Sequence, residues 1–85
     1  MSRVGRYVIH LPVVATDLVR ARILARTAVR ALAFLTQVDP GETTVSAEDE
    51  QGVRHRVFCD RRLDRGRRCV LRADHQTPCT PRLPR

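Results

Sequence analysis

The chain has 85 residues, 42% of them apolar and only 4% aromatic, with a formal net charge of +7 and a sequence pI near 11.2. That length holds one domain with a thin core, which a staple would help to close, and leaves no room for a large two-domain enzyme. All 16 residues of the Lys/Arg class are Arg, and Lys, Asn and Trp are absent. This bias reads as a GC-rich genome, and it covers the surface with guanidinium forks that grip phosphate and carboxylate bidentately.

Arg6 to Leu11 (RYVIHL) is rich in β-formers and predicts a strand, with Pro12 ending it or marking an edge. His10 reads as an ordinary strand residue. The apolar run from Tyr7 to Ala15 follows Arg3 and Arg6, but His10 and Pro12 break it and no small-x-small cleavage site follows. It is too short to span a bilayer and unlike a signal peptide, so a cytoplasmic protein with no membrane contact is expected.

Thr16 is the expected cap of a long helix, with Asp17 in its first turn. Residues 17–37 contain neither Gly nor Pro and are dense in Ala, Leu and Arg. Leu18, Ala21, Ala25, Ala28, Leu32 and Leu35 recur at three- and four-residue steps on one face, which Ile23, Leu24, Val29 and Phe34 widen. Arg22, Arg26 and Arg30 fall at i, i+4 and i+8 as a basic stripe on another face. The predicted helix is longer than a small sheet needs, so one end projects or packs on a partner, a second copy included.

Asp39-Pro40-Gly41 stops the helix. Residues 43–48 (TTVSAE) and 53–58 (VRHRVF) then read as two strands around a DEQG loop. Glu48 and Glu50 are placed to pair across the ladder with Arg54 and Arg56. The expected fold is α+β: a β-α-β-β unit over residues 1–58, with a three-stranded sheet and one long helix. A Cys/His element over 59–80 and a frayed tail over 81–85 follow.

Every cysteine lies in that element, as Cys59-x9-Cys69-x5-His75-x3-Cys79. Three thiols and an imidazole are a complete tetrahedral ligand set for structural zinc, with no position left open for catalysis. Asp64-Arg65-Gly66 supplies a turn that returns Cys69 towards Cys59, and Pro78 fixes the approach of Cys79. The segment has few apolar residues (Leu63, Val70, Leu71), so a cross-link must order it. Three buried free thiols, or one disulfide with a spare thiol, are the alternatives; His55, on the same strand face as Cys59, could replace His75 only if the strand bends.

The stretch resembles a short cysteine/histidine element that recurs in small proteins of actinobacteria and their phages. There a Cys, a Gly-containing loop and a second Cys precede a small-residue step into His and a final ligand after Pro. Gly66, Cys69, Ala73, His75, Pro78 and Cys79 match that pattern, over about a quarter of the chain. Asp60, Asp74 and Thr77 stand where Gly is usual, and the last ligand is Cys rather than His. The resemblance implies metal binding and an actinobacterial or phage source, and no particular activity.

Charge is segregated: residues 18–37 carry Arg without acid, 38–52 acid without base, and 59–85 eight Arg against Asp60, Asp64 and Asp74. The leading expectation is a zinc-stapled accessory protein that binds nucleic acid. Arg22, Arg26 and Arg30 of the helix and Arg61, Arg62, Arg65, Arg67, Arg68 and Arg72 around the metal would contact phosphates. The scarcity of aromatics and the absence of helix-turn-helix or RNP signatures point to backbone contacts rather than base reading. The alternative is a protein–protein module, such as a phage-encoded regulator or a subunit docking on an acidic surface. Neither a nucleophile–base pair nor a phosphate loop is present, and each Cys is better used as a ligand, so no enzyme is expected.

Overall fold

A computed structural model describes residues 4–82; residues 83–85 of the expected tail lie outside it. In chain order the elements are helix α1 (Leu18–Ala31), strand β1 (Thr44–Val45) and strand β2 (His55–Arg56), with single 3₁₀ turns at Pro40–Glu42 and Asp64–Gly66.

Asp17, not Thr16, caps α1. Its backbone is extended and its carboxylate accepts the Arg20 N–H at 2.8 Å, meeting one of the free donors at the helix start. The helix runs 14 residues and stops at Ala31, short of the expected Gln37. From there the backbone tightens: Ala33, Leu35 and Val38 donate to the carbonyls of Arg30, Leu32 and Leu35, all i→i−3 bonds. These turns carry the chain round to the hairpin without spending further residues on helix.

The antiparallel pair β1–β2 sets Thr44 opposite Arg56 and Val45 opposite His55. A further bond, Val57 N–H to Thr43 O, extends the ladder by one step. The hairpin expected over 43–58 therefore forms, but its central loop is long and its strands short. Neither Glu48 nor Glu50 pairs with Arg54 or Arg56 among the described residues; Arg56 turns instead to Asp60.

The expected three-stranded sheet is absent among the described residues, where the sheet has two strands. Residues 6–11 form neither strand nor helix and join no ladder, and no backbone hydrogen bond of the described residues involves positions 4–16. A strand needs a paired neighbour, and β1 offers two residues at most. The N-terminal arm instead stands off the hairpin, leaving a cleft of about 360 Å³ between Ile9, Leu11 and Val13 on one side and Thr44, Val45 and Arg54 on the other.

The core is also elsewhere than the apolar pattern of α1 implies. No residue of α1 is buried: Ala21, Ala25, Ala28 and Val29 form its half-buried side, while Ile23 and Leu24 are exposed. The buried apolar residues among those described are Val57, Phe58 and Cys69. They sit where the hairpin runs into the Cys/His segment, so the centre of packing lies next to the thiols.

Candidate metal centre

The segment after β2 doubles back on itself. Cys59 N–H donates to Leu71 O, Asp60 N–H to Cys69 O, and Cys69 N–H to Arg61 O, at 2.8–3.1 Å. Isolated antiparallel bridges join Phe58 to Arg72 and Arg62 to Arg68. The result is an irregular ribbon whose tip is the expected turn at Asp64–Gly66, with Arg65 and Gly66 both at positive φ (61° and 72°). Glycine takes that conformation freely. One limb of the ribbon brings in Cys59 and the other Cys69.

The second half of the ligand set comes from the loop beyond. The His75 N–H bonds to Arg72 O, and Val70 N–H to Thr80 O ties the end of the loop back to the ribbon. Cys59, Cys69, His75 and Cys79 thereby converge, with one ligand atom from each all within 4.8 Å of one another. Sγ of Cys59 and Cys79 are 3.8 Å apart; His75 Nε2 lies 3.6 Å from Cys69 Sγ and 3.7 Å from Cys79 Sγ. His75 Nδ1 donates to Thr77 O at 2.6 Å, since a carbonyl only accepts. This fixes the tautomer and leaves the Nε2 lone pair facing the thiols, as in metal-bound histidines. The cluster can hold a metal ion. All three cysteines are free thiols, so the disulfide alternative is not what the structure contains, and His55 takes its place in β2 rather than in the cluster.

Crowding sets the thiols against one another. Burial, together with the Cys69 and Cys59 sulfurs beside it, pushes the Cys79 thiol up to about 11. Burial also opposes ionisation of Cys69, but backbone hydrogen bonds from Leu71 and Thr80, helped by the Cys79 and Cys59 thiols, outweigh it and lower its pKa. Ionisation is thus eased at Cys69 and resisted at Cys79. A cation at the centre would reverse that resistance.

Asp60 is the element of this site that composition and spacing do not disclose. It adopts φ 54°, and its carboxylate is 11% exposed, 3.8 Å from the Arg56 guanidinium and 3.7 Å from that of Arg68. A Cβ built on Gly41 would overlap that carboxylate, so the Pro40–Glu42 turn, the hairpin and the ribbon meet here. The sole sequence hint was an acid directly after the first cysteine where the resembled element has Gly.

The arginines are used unevenly. Arg68 is engaged by Asp60, Arg72 pairs with Asp74 at 3.3 Å, and Arg67 Nε donates to Asp64 O. Arg61, Arg62 and Arg65 are exposed and make no ion pair among the described residues. On α1, Arg30 is exposed, whereas Arg22 and Arg26 lie on the half-buried side, and Arg22 Nε is buried without a partner. The basic stripe is thus not a continuous solvated face; the period that aligns the three arginines also turns two of them towards the hairpin side.

No protein-family model, curated protein or solved structure matches the chain. Among the described residues, no helix is long and apolar enough to cross a membrane.

Proposed function

We propose that the protein is a small accessory factor whose Cys59, Cys69, His75 and Cys79 hold one structural zinc ion, and whose exposed arginines bind the phosphate backbone of nucleic acid. The observation that carries the zinc reading is the spacing of the ligand atoms. A tetrahedron with zinc–sulfur bonds of about 2.3 Å and zinc–nitrogen bonds of about 2.0–2.1 Å has edges of roughly 3.8 Å between sulfurs and 3.6 Å from sulfur to nitrogen. Three of the six separations match, at 3.8 Å between Cys59 and Cys79 and 3.6–3.7 Å from His75 to Cys69 and Cys79, and the ligand atoms all lie within 4.8 Å of one another. Zinc supplies no chemistry beyond cross-linking here, because four protein ligands fill the shell.

Arg61, Arg62 and Arg65 occupy the tip side of the ribbon that the ligands close, so ordering the site also orders them. Their exposure and the net charge of +7 support contact with an extended polyanion. Binding should weaken steeply as salt rises, and the triple change Arg61→Ala/Arg62→Ala/Arg65→Ala should lower the slope of log affinity against log salt by about 3. Fluorescence anisotropy with a labelled duplex and a labelled single strand across a salt series reads this. Unchanged binding by the triple variant would remove the nucleic-acid reading. The acidic protein surface is the second reading, favoured by the exposed apolar side chains Ile23 and Leu24 on α1; a partner captured equally with and without nuclease would support it.

A further inference from the structure

The N-terminal arm is strand-forming sequence with no paired neighbour among the described residues. Its backbone groups over 4–16 take part in no backbone hydrogen bond among the described residues, and Tyr7, Ile9 and Leu11 are 92%, 88% and 65% exposed. A β-forming sequence with free backbone donors and acceptors and exposed apolar side chains is a template for strand addition. We propose that the occupant is the same arm of a second copy, paired antiparallel about a two-fold axis at Ile9.

Three observations favour a second copy over an unlike partner. The first is charge. Arg6 is the arm's one charged side chain and is held at 3.0 Å by Asp39, so the arm is neutral within a chain of +7. An anionic partner gains nothing there, and two copies can meet there without repulsion. The second is register. Pairing Ile9 with Ile9 sets Tyr7 opposite Leu11 and Arg6 opposite Pro12. Hydrogen-bonded and non-hydrogen-bonded pairs alternate in an antiparallel ladder. If Ile9 is a hydrogen-bonded pair, Tyr7–Leu11 is another, and Pro12, which has no N–H, falls at a non-hydrogen-bonded position where none is needed.

The third is the side chains. Tyr7, Ile9, Leu11 and Val13 all project from one face of such a ribbon, so self-pairing keeps an apolar face apolar. A two-stranded ribbon is marginal unless that face is covered. Ile23 and Leu24 on the exposed side of α1 are apolar side chains available for that cover in each copy. This interface is isologous, each copy giving and receiving the same residues. It stands independently of the metal, and it would double the number of arginines presented to a polyanion.

The test is the oligomeric state of the full chain, with and without added zinc. Sedimentation equilibrium should give a mass about twice the 9.7 kDa of one chain, and Ile9→Arg should give a monomer with unchanged zinc content. In the unmodified protein, amide exchange should alternate, slow at Tyr7, Ile9 and Leu11 and fast at Val8 and His10. A monomer at the highest concentrations reached overturns the proposal. So does a dimer that survives Ile9→Arg, or one without that alternation. An arm protected only after addition of another protein assigns it to an unlike partner instead.

Discussion

Asp60 holds a left-handed backbone conformation that costs a residue with a Cβ roughly 1–2 kcal/mol. Its backbone N–H bond to Cys69 O and its two arginine partners offset that cost. Asp60→Ala keeps the strain and loses the carboxylate, and should destabilise the zinc-loaded protein by about 1–3 kcal/mol in urea unfolding. Asp60→Gly relieves the strain and should recover part of that loss, so the order of stability is Asp, then Gly, then Ala. Cys79 yields a second prediction. A thiol pushed up to about 11 from an ordinary value of 9.0 is protonated at neutral pH, so a metal must displace its proton. Protons then compete with the metal: binding tightens as pH rises and weakens as it falls. Calorimetric titration of zinc at pH 7.5 in buffers of different ionisation enthalpy should show at least one proton released per ion. A Cys79→Ser variant should bind more weakly and release fewer.

At the N-terminus of α1 the cap is a single carboxylate on a single amide. Asp17→Ala should cost about 1 kcal/mol, read as a lower unfolding midpoint, whereas Thr16→Ala should leave it within about 0.5 kcal/mol, because Thr16 makes no capping bond. Helix, hairpin and ligand cluster were legible in the sequence because each is specified locally: an uninterrupted run of helix formers, two β-rich segments around a polar loop, and four soft ligands within 21 residues. The end of the helix was not, since residues 32–37 contain no breaker and only the path to the Pro40–Glu42 turn tightens the chain there. Nor was the fate of Arg6 to Leu11. A β-former pattern states that a segment will be extended when paired; it does not state that a pairing edge exists within the same chain. Arg22 and Arg26 illustrate the same gap, as periodicity groups them with Arg30 but cannot say which side of the helix the hairpin will take.

Taken together, the described residues place the smallest side of the molecule's packing in its helix and the tightest in the ribbon around Cys69. Removing the proposed zinc should therefore unmake more than the ligand loop. A chelator is expected to disorder residues 57–80 together, with loss of dispersed amide resonances for Val57 and Phe58 as well as for the ligands, while the capped helix keeps part of its far-ultraviolet signal. Full retention of the Val57 and Phe58 resonances after chelation would show that the core stands without the metal.

A core of three buried apolar residues among those described also sets how the protein responds to heat. The heat-capacity increment of unfolding follows the apolar surface newly exposed to water. Here much of the apolar surface, in the arm and along α1, is wet before unfolding begins in a single chain. The increment per residue should fall below the usual 12–15 cal/mol/K, and the urea m-value should be correspondingly shallow. The stability curve of an isolated chain is then flat and broad, with cold denaturation displaced far below freezing. With the proposed zinc bound, sharp melting should come from the metal's departure rather than from the melting of an oily interior.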